Sequence, residues 1–395
     1  MIEYRDKPLF LYSAWKQEGN LGDQVINRVL VEQFSQRGEF RVCSKWASPD
    51  FLHAIGVVPG MIDSSRSMAW HALRARLCRR TVILILSPGG SNDRLHLRWR
   101  RELREFTFWL LARIMGVRVV QLGISLSCAV PERDRFERWF KPQRLKSFVG
   151  VRDCRSLSVL REWGVRNVEC MPDLAFAMEC GLAPPSLPDG ERYIVMSFRF
   201  DHYPPYMKRL LTAADAICEW ALAHGIGVLH LCWQVSEDAA GCRFLADRYR
   251  GRIRVHVQAD APVPQELFDR YRAATLVCSN RLHVLLFTWL HGGLPIAVGD
   301  ETFQTKVAAF FRDAGLEPLW LRTEPTPVYT AFGRQLDSAL EDRDKWLALL
   351  ANKAQQYRLA LPPIFDKVAH LGKRRRSQKE DVSRSSSCSC LQGKR

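Results

Sequence analysis

Short apolar runs alternate with helical patterns along this chain, and the alternation happens twice. In the first half "LFLYSA" reads as a strand and is followed by a helix over about residues 23–36. "TVILILSPGG" is a second strand, ending in Pro-Gly-Gly. Residues 95–115 have helical spacing, with Trp99, Leu103, Phe106, Leu110 and Ile114 on one stripe. "VRVVQLGIS" and "SFVGVRD" are further strands; a helix over 154–163 stops at Gly164, and "VECMPDLAF" reads as a strand and turn. Strands separated by helices cannot pair as hairpins, so the pattern predicts a parallel sheet covered on both faces.

The stretch "CGLAPPSLPDGERY" has no periodicity and reads as a linker. Beyond it the alternation restarts with "YIVMSFRF", "GVLHLCW", "RIRVHVQ", "ATLVCSN" and "LPIAVG" as strands, and helices between them. The expected organisation is an α/β protein with Rossmann-like domains at residues 1–182 and 190–371, facing one cleft. The last helices are expected to reach back to the first domain. A basic, low-complexity tail at 372–395 is expected to be disordered.

Open parallel sheets bind ligands beyond the carboxyl ends of their strands, so four strand-to-helix turns matter. In "EGNLGDQ", Gly19 and Gly22 permit close backbone approach and Asp23 can cap the helix that follows. In "SPGGSND", Gly89 and Gly90 form a turn whose N–H groups could hold an anion or simply turn the chain. Arg152, after "SFVGV", could bind an anion or pair with Asp173 of "MPDLAF". In "ATLVCSNRLHVLLF", Arg281 and His283 open a helix. Their positive charge opposes the helix dipole, which suits an anion lodged between them. Arginine binds carboxylate or phosphate in a fork, and histidine exchanges protons near neutral pH. Arg199, at the end of "YIVMSFR", should face the same cleft.

Charge narrows the partners. The formal net charge is +16. Residues 66–118 contain twelve Arg and three acids, and the tail holds much of the remaining excess. "SMAWHALRARLCRR" and the Arg-rich helix after Asn92 mix aromatics with cations, as interfacial helices do. An anionic membrane surface is therefore a possible partner, the other choice being a core-facing stripe with a solvated basic face. Apolar runs such as "VILIL" are too short to span a bilayer, and the start "MIEYRDKPLF" has no apolar segment behind a basic one. A cytoplasmic protein is expected. Twelve scattered cysteines lack zinc spacing and read as reduced.

"GNLGDQ", "SPGG", "VRDCRSLSVLREWG" with "PDLAF", and "SNRLH" with "GLPIAVGDETFQTK" occur in an order that resembles the polysaccharide pyruvyl transferase family. The resemblance spans roughly residues 12–320; the glycine turn is shorter than the family's. It implies a fold similar to the GT-B glycosyltransferases. It also implies transfer of pyruvyl from phosphoenolpyruvate to a saccharide acceptor, lipid-linked or polymeric, as a cyclic ketal. On that resemblance Arg281, Arg199, Lys306 and Arg152 would hold the donor. His283 would serve as acid or phosphate-side group, and Asp23 would activate a sugar hydroxyl. Asn20, Gly22, Gly89 and Gly90 would shape the loops. No metal, nucleotide or resident cofactor is implied, and no nucleic-acid partner is expected. Two other readings remain: a GT-B glycosyltransferase using a nucleotide sugar, and a non-catalytic basic protein that binds membrane or nucleic acid.

Overall fold

The computed structural model describes residues 7–14, 18–91, 99–126, 142–178, 191–200, 204–259, 263–323 and 329–371. The proline-rich linker and the basic tail lie outside the described residues. The first sheet contains β1 (Leu9–Ser13), β2 (Glu39–Cys43), β3 (Ile62–Asp63), β4 (Val82–Leu86), β5 (Gly89–Ser91), β6 (Arg118–Leu126), β7 (Phe148–Val151) and β8 (Val168–Cys170). Its order is β3-β2-β1-β4-β6-β7-β8, with β5 on the far end of β6, and every pair is parallel. The second contains β9 (Tyr193–Ser197), β10 (Val228–Leu231), β11 (Arg254–Val257), β12 (Leu276–Ser279), β13 (Pro295–Gly299) and β14 (Trp320–Arg322). Its order is β11-β10-β9-β12-β13-β14, again parallel. The sequence pattern omitted the five-residue β2 (Glu39–Cys43) and the strands β3, β5 and β14, which carry too few residues to show a period.

The chain crosses from β1 to β2 in one direction and from β3 through β4 to β6 in the other. Right-handed crossovers therefore place the Leu21–Ser35 helix on one face of the first sheet, and the Ser65–Leu77 and Trp99–Ile114 helices on the opposite face. The cores divide accordingly. One continuous core joins Phe10, Leu30 and Phe34 to the second domain. A smaller one, with Leu9, Leu11, Met68, Ala75, Ala112 and Val119, sits under the other two helices.

The Leu282–Leu290 helix is central to the larger core. Every residue from Val284 to Leu290 is buried, so it is apolar all round rather than striped. Trp289 donates from Nε1 to the Leu350 carbonyl at 2.6 Å, and Phe176 of the first domain meets its ring edge-on at 5.0 Å. A fully buried side chain of this size contributes about 1.5–3 kcal/mol.

The last helix, Arg343–Ala369, leaves the second domain and ends against the first. Arg37 pairs with Asp366 at 2.9 Å, Phe34 packs edge-on against Phe365 at 5.7 Å, and Arg358 donates to the carbonyls of Phe176 and Met178. Of the two readings left open for the helical stripe, the core-facing one is not met at three positions: Leu103, Leu110 and Ile114 are exposed. Spacing defines a face, but the sheet beneath is already covered by shorter residues such as Ala75 and Ala112.

Candidate active site

The two domains meet at the carboxyl ends of their strands. On the first, Asn20 caps the Leu21–Ser35 helix, its side chain accepting from the Gly22 N–H at 3.0 Å. Asp23, a possible cap by sequence, lies in the first turn, where Asn20 already satisfies the free N–H. That leaves the Asp23 carboxylate available for another task. The turn is braced from below. Asn27 donates from Nδ2 to the Asp23 carbonyl at 2.5 Å and accepts from the buried Tyr12 hydroxyl. Burial pushes the Tyr12 phenol far above its ordinary value.

On the second domain, "SNRLH" divides into two jobs. Ser279 donates to the Ser197 carbonyl at 2.5 Å and accepts from the Arg281 N–H at 2.9 Å. Asn280 bonds both the N–H and the carbonyl of Arg199 at 2.8 Å. Ser279 and Asn280 thus lock the ends of β9 and β12 together, and Arg281 and His283 project from that frame.

Arg281 was expected to bind an anion. The structure gives it a carboxylate: its Nη2 donates to both oxygens of Asp238. A guanidinium at a helix N-terminus needs negative charge nearby even before a ligand arrives. Burial pushes the Asp238 carboxyl up, while Arg281 and then Arg199 pull it back. Arg152 is likewise held from within, by Ser125 Oγ at 2.7 Å and Asp173 Oδ2 at 2.5 Å. Burial would raise Asp173, but Arg152 and His283 outweigh it and hold the carboxyl below its ordinary range.

His283 bridges the two halves. A Cβ built at Gly22 would overlap the His283 ring, so only glycine lets the imidazole lie on the first turn of the other domain. Burial pushes the imidazole below its ordinary pKa; Asp173 and Asp23 pull it up, and Arg152 and Lys306 push it down. It is therefore neutral at pH 7 in the free protein. Asp23, Asp173, Arg152 and Lys306 form the charged surroundings of one ring. Arg199 is exposed and pulls on Asp238.

Gly89 adopts φ +95°, which favours glycine, and Gly89–Ser91 continues as β5 against β6. Its backbone joins the edge of the sheet through β6.

Sequence reasoning missed Asp238, Asn27 and Gln234, as well as the coupling of Asp173 to His283. Gln234 could have been found by topology, because it lies just past β10 at a strand end. Its carbonyl accepts from the Leu21 N–H of the facing helix at 3.4 Å. Among the described residues, Gln234 Nε2, Arg281 Nε and His283 Nε2 are buried without a hydrogen-bond partner. Such groups are costly when left unpaired. Each can act as a donor, so the fitting ligand is rich in acceptor oxygens.

A family model described as "Polysaccharide pyruvyl transferase" matches residues 20–293. No match is found among curated protein sequences. Solved structures share the fold. A glycosyltransferase from Rickettsia africae has 9% identity and a TM-score of 0.58, with 92% of this chain and 98% of that one covered. A UDP-GlcNAc 2-epimerase from Neisseria meningitidis, bound to UDP-GlcNAc, has 10% identity and a TM-score of 0.54, covering 92% and 99%. MnaA from S. aureus, with UDP, has 11% identity and a TM-score of 0.53, covering 90% and 92%. At such identities the likeness is one of fold: two facing Rossmann-like domains of the GT-B kind.

Proposed function

The chain belongs to the polysaccharide pyruvyl transferase family and is a transferase; we propose that it moves pyruvyl from phosphoenolpyruvate onto a sugar of an exopolysaccharide or its lipid-linked precursor. The product is a cyclic ketal, phosphate is released, and the reaction takes place at the inner face of the plasma membrane. The observation that carries this reading is the set of buried donors at the strand ends: Arg281 Nε, Gln234 Nε2 and His283 Nε2. Phosphoenolpyruvate supplies a carboxylate and a phosphate, both acceptor-rich anions. Arg199 and Lys306 add positive charge beside Asp238 and His283 respectively.

The chemistry assigns roles to the rest. A proton adds to the methylene carbon and leaves the neighbouring carbon cationic. One sugar hydroxyl adds there, phosphate departs with its bridging oxygen, and a second hydroxyl closes the ring. The two hydroxyl protons balance the one placed on carbon and the one that leaves with phosphate. His283 is the acid or phosphate-side group. It is neutral in the free protein, and the charge of a bound donor raises its proton affinity, so the substrate itself loads the acid. Asp23, on the facing domain, accepts the proton of a sugar hydroxyl. Arg152 is a positioning residue: it fixes Asp173, which steadies the charge around His283. No nucleotide, metal or resident cofactor enters the scheme.

Thermal stabilisation by phosphoenolpyruvate, phosphate, UDP, GDP and UDP-glucose tests it, because binding to the folded state raises the melting temperature. A rise with phosphoenolpyruvate that disappears in Arg281→Ala is expected. A rise with a nucleotide alone would overturn the proposal in favour of a nucleotide-sugar glycosyltransferase.

A further inference from the structure

The Ser65–Leu77 and Trp99–Ile114 helices lie together on the outer face of the first sheet. Arg76 of the one donates to the Met115 carbonyl just past the other at 3.2 Å, and both share the small core with Met68, Ala75 and Ala112. Their outward surface mixes large apolar side chains with arginines. Trp70 is 61% exposed, Leu77 75%, Ile114 72% and Met115 62%, with Phe108 and Leu111 between them also exposed. Trp70 and Leu77 are seven residues apart and so share a stripe. Isolated exposed apolar residues need no explanation, whereas a contiguous set marks an interaction surface.

The cations around this patch say what it meets. Arg66, Arg74, Arg79, Arg113 and Arg118 are exposed, and none forms an ion pair among the described residues. Arg79 has φ +57°, a left-handed conformation just past a helix end that glycine takes without strain. Arg113 also lines a groove of about 760 Å³ with Arg144, Arg161 and Arg166. Arg113 directly precedes the exposed Ile114 and Met115 in the chain, so basic and apolar side chains adjoin at this end of the face.

We propose that this face is a docking surface for an anionic lipid bilayer. Exposed Trp, Phe, Leu and Ile enter the headgroup boundary, and the arginines bind lipid phosphates around them. A second copy of the chain would bring its own arginines against these, like charge against like. A nucleic acid would leave the apolar centre without a partner. The surface gives a lipid-linked acceptor a place to be met, yet vesicle binding requires neither donor nor acceptor.

The test is flotation of the full chain with vesicles of phosphatidylcholine containing phosphatidylglycerol, and with phosphatidylcholine alone, at low and high salt. Wild type is expected to float on the mixed vesicles, more weakly at high salt. Two variants, Trp70→Ser with Ile114→Ser and Arg74→Gln with Arg79→Gln, Arg113→Gln and Arg118→Gln, are expected to partition at least about tenfold more weakly. Unchanged melting temperatures and an unchanged phosphoenolpyruvate shift would show that both remain folded and competent to bind donor. Flotation of both variants like wild type would overturn the proposal. So would self-association without lipid that the same substitutions abolish. Loss of the phosphoenolpyruvate shift with flotation intact would instead overturn the donor assignment alone.

Discussion

The arginines at the strand ends and those on the outer helices have opposite surroundings. Arg152 and Arg281 each meet a buried carboxylate, Asp173 and Asp238. Arg66, Arg74 and Arg113 stand exposed without one among the described residues. The difference separates two uses of the same side chain. A paired guanidinium has its charge largely cancelled and its direction fixed, so it recognises by geometry. An unpaired one keeps its charge and is free to turn, so it attracts an extended anionic surface.

The largest expected effect comes from removing a carboxylate at a strand end. Asp173→Ala leaves the buried Arg152 uncompensated and is expected to cost about 3–5 kcal/mol by urea denaturation. Arg113→Gln on the outer face should leave the urea midpoint unchanged. A cost for Asp173→Ala below about 1 kcal/mol would break the contrast. Next in size is Gly22→Ala. The added methyl collides with the His283 ring, so a loss of about 1–3 kcal/mol is expected, together with a fall in pyruvyl transfer of at least tenfold. Normal turnover in this variant would mean that the domains need not meet at this point.

A third test replaces the Asp238 partner's geometry rather than its charge. Arg281→Lys retains the positive charge but loses the fork. The phosphoenolpyruvate-induced rise in melting temperature should shrink, corresponding to about tenfold weaker binding, while Arg74→Lys changes nothing. The smallest effect concerns protons. His283 has a folded pKa below that of the unfolded chain, so the unfolded state takes up more protons below about pH 6.5. Its stabilising contribution is complete above that pH and is lost as pH falls. In Lys306→Met a depressing charge is gone, so His283 should titrate at higher pH by NMR and acid should destabilise the protein less. An unmoved His283 titration would remove Lys306 from this cluster.

Much of this architecture was legible in the residues. Apolar runs such as "VILIL" and "ATLVCS" can only be buried strands, and their alternation with helices dictates parallel sheets. Arg281 and His283 were legible because positive charge at a helix N-terminus opposes the dipole. Their partners were not. Asp238 precedes Arg281 by 43 positions in the chain, and no local pattern links them. Asn20 and Asp23 are both good caps, and only backbone geometry chooses between them. The exposed stripe near Phe108 was legible as a stripe, but periodicity does not tell whether a face is covered.

The Arg343–Ala369 helix bears on how the site can open. Its 27 residues span roughly 40 Å at 1.5 Å per residue. It is anchored in the second domain through Leu350 and on the first through Phe365 and Asp366. Such a member works as a strut: it resists stretching yet lets the bodies it joins swing. A rotation about this strut would widen the gap between Gly22 and His283 while leaving the spacing at Arg37 and Asp366 nearly unchanged. The strut would then act as a fixed axle, with His283 lifting from the floor of the facing domain at each swing.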